Sequence, residues 1–140
     1  MTDIRRITPY LLLLILMLSS CTSIRYAGVN HIRNYNIASH EVPEAFDGYR
    51  IAQISDLHNA RMGKDNQKLL TMLREAEPDL IALTGDLVDS RRTNLDIAIS
   101  FVQEAVKIAP CYYVSGNHES RISEYPQLKE ALVAAGVVVL

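Results

Sequence analysis

The 140-residue sequence is poor in cysteine, nearly balanced in charge and free of repetition, and each shortage removes a class of protein. Its two cysteines, Cys21 and Cys111, form no Cys-x-x-Cys pair and are too few for a disulfide framework. With 14 basic against 16 acidic side chains the net charge is −2, and the only basic doublet in the body, Arg91-Arg92, reads as a solvated loop. No basic surface is available for a polyphosphate backbone, so no nucleic-acid partner is expected. What is present, 49% hydrophobic and 21% charged residues, suits one folded domain with a core of its own.

Part of that apolar content sits at the N-terminus. Arg5 and Arg6 precede an almost unbroken apolar run from Tyr10 to Leu18, followed by Ser19, Ser20 and Cys21. The run is about half the ~20 residues of a bilayer-spanning helix and fits the ~7–15 residues of a secretory signal core. Residues 18–21 also resemble a bacterial lipobox, in which the signal is cut ahead of a cysteine that then carries lipid. An uncleaved signal anchor is the alternative, and Arg5-Arg6 leave a twin-arginine signal open. Residues 1–21 are therefore expected to be a signal peptide or membrane anchor. They would hold the protein at the extracytoplasmic face of a bacterial cell membrane. Residues 22–45 are expected to form a tether or an opening hairpin.

Beyond Phe46 the pattern is regular. Tyr49 to Ser55 is β-rich and runs into Asp56. Asn66 to Ala76 has a helical apolar stripe and stops at Pro78; Leu80 to Leu83 is a short apolar strand. Asn94 suits the cap of a helix running to about Ile108, ended by Pro110. Cys111 to Val114 is the next strand, in which Cys111 reads as a small buried hydrophobe. A helix over 126–135, closed by Gly136, leads to a final strand over 137–140. This βαβαβαβ order predicts an α/β fold with a largely parallel sheet. The continuously apolar strands fit a sheet covered by helices or by a second sheet. An apolar strand at the last residues reads as the first half of a larger domain, over residues 46–140, cut short.

Three polar runs follow three of these strands: Asp56-Leu57-His58, Gly85-Asp86-Leu87-Val88-Asp89 and Gly116-Asn117-His118-Glu119. In parallel sheets ligands bind beyond the carboxyl ends of the strands, where residues distant in sequence meet. On an extended segment Asp56 and His58 would point the same way, with Leu57 turned to the core. Gly85 would permit a turn from which Asp86 projects, and Gly116 would do the same for Asn117 and His118. Carboxylate, amide and imidazole ligands without thiolate suit Mn, Fe, Zn or similar divalent ions. Two ions ~3.5–4 Å apart can activate a water and clamp a phosphoryl group.

The three runs, in this order, resemble the N-terminal motifs of the calcineurin-like metallophosphoesterase superfamily. The longer words Ile54-Ser55-Asp56-Leu57-His58 and Thr84-Gly85-Asp86-Leu87-Val88-Asp89 look like its bacterial membrane-associated YkuE/YaeI-like phosphodiesterase branch. The resemblance implies the first half of a metallophosphoesterase-type α/β sandwich. It implies that Asp56 and His58 bind a first metal, Asp86 bridges two, and Asn117 binds the second. His118 would be the catalytic acid or hydrogen-bond donor and Asp89 its orienting carboxylate, while Glu119 would cap a turn or lie on the surface. The substrate would be a phosphoester, possibly lipid-linked given the leader. Such enzymes complete the site with further histidines, including a Gly-His-x-His run, and no histidine follows His118 here. The second metal site is thus expected to be incomplete and the 140-residue chain alone inactive. The competing expectation is a non-catalytic envelope lipoprotein, a decayed fragment of such an enzyme.

Overall fold

The computed structural model describes residues 32–140. The chain divides into one unit over residues 1–35 and a second over 36–140, and every described element lies in the second. The leader expected over residues 1–21 falls outside the described residues. Residues 32–43 are exposed and carry no strand. No helix among the described residues is long and apolar enough to cross a membrane.

Besides short 3-10 turns at Glu44–Phe46, Lys64–Asn66 and Glu119–Arg121, the elements are β1 (Ile51–Ile54), α1 (Gln67–Ala76), β2 (Leu80–Leu83), α2 (Leu95–Ala105), β3 (Cys111–Tyr113), α3 (Tyr125–Ala134) and β4 (Val138–Val139). Each helix has a local reason to start or stop. Glu77 takes a left-handed conformation at the end of α1 and Pro78 prevents continuation. Asn94 Oδ1 accepts the Asp96 N–H at 3.1 Å at the start of α2, a cap of about 1 kcal/mol. The helix ends at Ala105, three residues before the expected Ile108, and Pro110 commits the chain to an extended path. Pro126 occupies the first turn of α3, and Gly136, at φ 95°, reverses the chain into β4.

The four strands pair in parallel, in chain order. Ile54 lies beside Leu83 and Leu83 beside Tyr113, so the carboxyl ends of β1, β2 and β3 are level. Successive right-handed crossovers between adjacent strands put all three helices on one face, where α2 packs between α1 and α3. Toward them the sheet turns Ile54, Ile81, Leu83, Cys111 and Tyr113, which join Leu70, Phe101, Val102, Leu128 and Leu132 in one buried cluster. The alternate residues Ile51, Gln53, Ala82, Tyr112 and Val138 lie on the opposite face. No described helix covers that face, and Ile51 is 63% exposed.

Candidate metal centre

Level strand ends put three loops side by side, and backbone hydrogen bonds fasten them. Thr84 N–H donates to Ile54 O (2.9 Å), Asp56 N–H to Gly85 O (3.2 Å), His58 N–H to Asp86 O (2.9 Å) and Asn59 N–H to Leu87 O (3.2 Å). The loops after β1 and β2 thus remain paired well past the strands. Leu57, Leu87 and Val88 are buried beneath them and anchor each loop between its polar residues. The loop after β3 joins through Val114 N–H to Leu83 O (3.0 Å) and His118 N–H to Asp86 Oδ1 (2.8 Å).

The convergence is not reached through an extended segment. Asp56, His58 and Asn59 have φ of 56°, 46° and 60°, and Asp86 has 53°. Side chains disfavour this left-handed region, at a cost of order 1–3 kcal/mol per residue, and it persists only where surroundings impose it. Here the paired backbone imposes it, and the turns bring carboxylate and imidazole to one side. Gly85 is also left-handed, at φ 91°, as its position after the strand predicts. Gly116 acts differently from expectation. It makes no positive-φ turn; it allows close approach. A Cβ on Gly85 would stand 2.6 Å from Gly116 Cα, and one on Gly116 would strike the Asp86 side chain.

His58 Nε2 stands 3.3 Å from Asp56 Oδ1 and 3.9 Å from Asp86 Oδ2. The His118 ring meets the His58 ring edge to face, centroids 4.4 Å apart. Ligand-capable atoms of His58, Asp86 and His118 all lie within 4.8 Å of one another. Three of the four expected ligands, Asp56, His58 and Asp86, therefore come together, with His118 beside them. Asn117 is exposed on the same loop; its carbonyl accepts from Ser120 Oγ, and its side-chain amide makes no hydrogen bond among the described residues.

The donor set fits a divalent cation. Two carboxylates face one imidazole nitrogen, and no lysine or arginine among the described residues pairs with either. Ser55 Oγ–H donates to Asp56 at 2.6 Å, and this bond, opposed by desolvation and aided by His58, holds the Asp56 carboxyl below its ordinary range. The other His58 nitrogen, Nδ1, is buried without a hydrogen-bond partner among the described residues, and the ring is in contact with Asp56 through Nε2 and with the His118 ring.

His118 is oriented mainly by Ser90, which the sequence did not flag. The Ser90 N–H donates to His118 Nδ1 at 3.0 Å, and Ser90 Oγ lies 3.2 Å from the same atom. Asp89 Oδ1 is 3.6 Å from Nδ1 and accepts the Arg91 N–H at 2.9 Å. That backbone bond, opposed by desolvation, is the main reason the Asp89 carboxyl lies low, with the charge of His118 a smaller contribution. Asp89 thus acts on His118 as a nearby charge, and Ser90 makes the direct bond. With Nδ1 accepting, the ring proton is assigned to Nε2. Glu119, expected to cap a turn or lie on the surface, is fully buried, and its carboxylate accepts three backbone N–H groups. Only a tertiary arrangement could have revealed this.

Strand-tip carboxylates and imidazoles gathered on a parallel α/β sheet form a cluster that could hold a divalent cation. The profile of the calcineurin-like phosphoesterases matches residues 49–137, and the chain belongs to that family. Among curated proteins it is 28% identical over 102 residues to a zebrafish (Danio rerio) transmembrane protein with metallophosphoesterase domain, covering 71% of this chain and 23% of that protein. It is 36% identical over 61 residues to the uncharacterized metallophosphoesterase YkuE of Bacillus subtilis, covering 42% of this chain and 21% of YkuE. To the uncharacterized metallophosphoesterase YkoQ of the same organism it is 30% identical over 95 residues, covering 64% of this chain and 35% of YkoQ. The chain thus spans between about a fifth and about a third of the length of these relatives. No solved structure matches it significantly.

Proposed function

We propose that this chain carries the first half of a two-metal phosphoester hydrolase of the YkuE-like branch, attached to the bacterial membrane by its N-terminus and acting outside the cytoplasm. The observation that carries the reading is the meeting of Asp56, His58 and Asp86 with His118 at level strand ends. In this reading Asp56, His58 and Asp86 would hold one ion, and Asp86 with Asn117 would hold a second. Bound divalent ions would supply a water of lowered pKa and positive charge against the phosphoryl oxygens. The chain's residues do the remainder. Asp86 is held by its own backbone and by the His118 N–H, which leaves Oδ2 for the site. His118 presents Nε2–H to the departing oxygen. As water forms the new P–O bond and the ester P–O bond breaks opposite, the neutral imidazole keeps its Nε2 proton and stabilises the developing negative charge through that hydrogen bond; the attacking water's proton goes to solvent, from which the leaving oxygen takes one.

The membrane placement rests on the apolar N-terminal run and on the zebrafish relative's being named a transmembrane protein. A lipid-linked phosphoester substrate follows from that placement alone. The test is hydrolysis of bis-p-nitrophenyl phosphate by the protein expressed from its full open reading frame. Turnover should require Mn²⁺ or a similar ion, vanish with EDTA, and fall to background in Asp86→Asn. Removing the His118 hydrogen-bond donor as His118→Ala should lower kcat by about 10²–10³-fold. Undiminished turnover in Asp86→Asn would refute the bridging role.

A further inference from the structure

We propose that Glu119 is a positioning residue for the metal centre: its buried carboxylate clasps the loop carrying Asp86 to the loop carrying Asn117 and His118, and so sets the spacing of the ligands. The inference rests on the phosphohydrolase reading above and adds to it a residue with no role there.

Glu119 Oε2 accepts two N–H groups from different loops, Asp86 N and Gly116 N, each at 2.8 Å. Oε1 accepts the Val88 N–H at 3.2 Å. The clasp is reciprocal, since Asp86 Oδ1 accepts the His118 N–H at 2.8 Å. Each carboxylate therefore fastens the other's loop, and Asp86 keeps Oδ2, 3.9 Å from His58 Nε2, for the site. The side chain is 0% exposed, and no lysine, arginine or histidine among the described residues pairs with it. Burying a carboxylate with only amide donors is costly unless every donor is well placed.

The chemistry requires a carboxylate. Three donors converge on two oxygens, so both side-chain termini must accept. A glutamine of the same shape offers one acceptor and turns its NH2 toward an N–H. An aspartate keeps both oxygens but withdraws them by one methylene from loops that Gly85 and Gly116 have already brought into contact. An apolar residue would strand three buried N–H groups. The clasp closes on Asp86 itself and on Gly116, the residue before Asn117, so any slackening is expressed as a change in ligand spacing.

The experiment uses protein from the full open reading frame as wild type, Glu119→Gln and Glu119→Asp. Co²⁺ binding is followed by its visible spectrum, thermal unfolding by circular dichroism, and kcat and KM with bis-p-nitrophenyl phosphate. Glu119→Gln should melt cooperatively yet bind Co²⁺ about 10–100-fold more weakly, with an altered Co²⁺ spectrum, and lose kcat more than KM. Glu119→Asp should lie between the two. A lowered melting temperature with unchanged Co²⁺ affinity and spectrum means a merely structural role and overturns the proposal. Should neither variant fold, amide hydrogen exchange of the wild type decides. The Asp86, Val88 and Gly116 amides should slow further on adding Mg²⁺, and unchanged rates overturn the clasp. Wild type that takes up no Co²⁺ sinks the metal reading and the clasp with it; wild type that binds Co²⁺ beside an equally avid Glu119→Gln sinks the clasp alone.

Discussion

At the scale of single residues, the side chains at the centre have divided duties. Asp56 is exposed and His58 half-buried beside it, while Asp86 is nearly buried and shares its carboxylate between the His118 amide and the site. Away from the centre, Cys111 gives a clean readout of the core. Burial pushes its thiol up to about 11, from an ordinary value of 9.0. A raised thiol pKa means the folded state favours the neutral form. That contribution to stability is complete below pH 9.0 and is lost as pH rises through about 11. Urea midpoints should therefore fall between those pH values, and less steeply in Cys111→Ala. Iodoacetamide at pH 8 should leave Cys111 unmodified in the native protein and label it after unfolding. Asp56 and Asp89 run the other way: both are held low, so their contribution is present above 3.8 and lost as pH falls through their lower folded values. Asp56 is exposed and Asp89 partly so, and solvent screening keeps that effect small.

At the scale of elements, caps and breakers written in the sequence agree with the structure, and the exceptions lie at the centre. Asn94 caps α2, Pro78 stops α1, Pro110 sets the extended path into β3, and Gly136 turns the chain, because each acts through its own backbone or its near neighbours. Asn94→Ala should cost about 1 kcal/mol by urea denaturation. Phe101→Ala, which empties the middle of the α2 packing face, should cost about 3–5 kcal/mol. The gap between the two separates local from tertiary support. The left-handed backbone of Asp56 and His58, the Ser90 bond to His118 and the burial of Glu119 could not be read this way. Each depends on a partner about thirty residues away or on the packing of neighbouring loops. Carboxylate and imidazole types in strand-end positions announced what the centre is made of; how the loops hold them is a property of their pairing.

At the scale of the whole molecule, the sheet is two-sided in composition and one-sided in covering. The strands are apolar on both faces, as their sequence indicates, yet the described helices cover only one. Ile51, Tyr112 and Val138 lie on the other, and an apolar sheet surface of this kind promotes association. The 140-residue chain produced by itself should self-associate at micromolar concentration in sedimentation analysis, and Ile51→Lys with Val138→Lys should reduce that. It should also hydrolyse no bis-p-nitrophenyl phosphate, since among the described residues it offers the proposed second ion only Asp86 and Asn117. Turnover by that chain at a rate matching the full product would refute the expectation.

The contact between Gly85 and Gly116 carries a consequence for redesign. Neither position has room for a methyl group: one on Gly85 would meet the Gly116 backbone, and one on Gly116 would meet Asp86, the residue after Gly85. A designer transplanting this ligand set to another sheet would have to move both glycines together, with the strand offset that makes them meet. The unit of inheritance here is a joint between two chain segments, and stepwise substitution at either side has no passable first step.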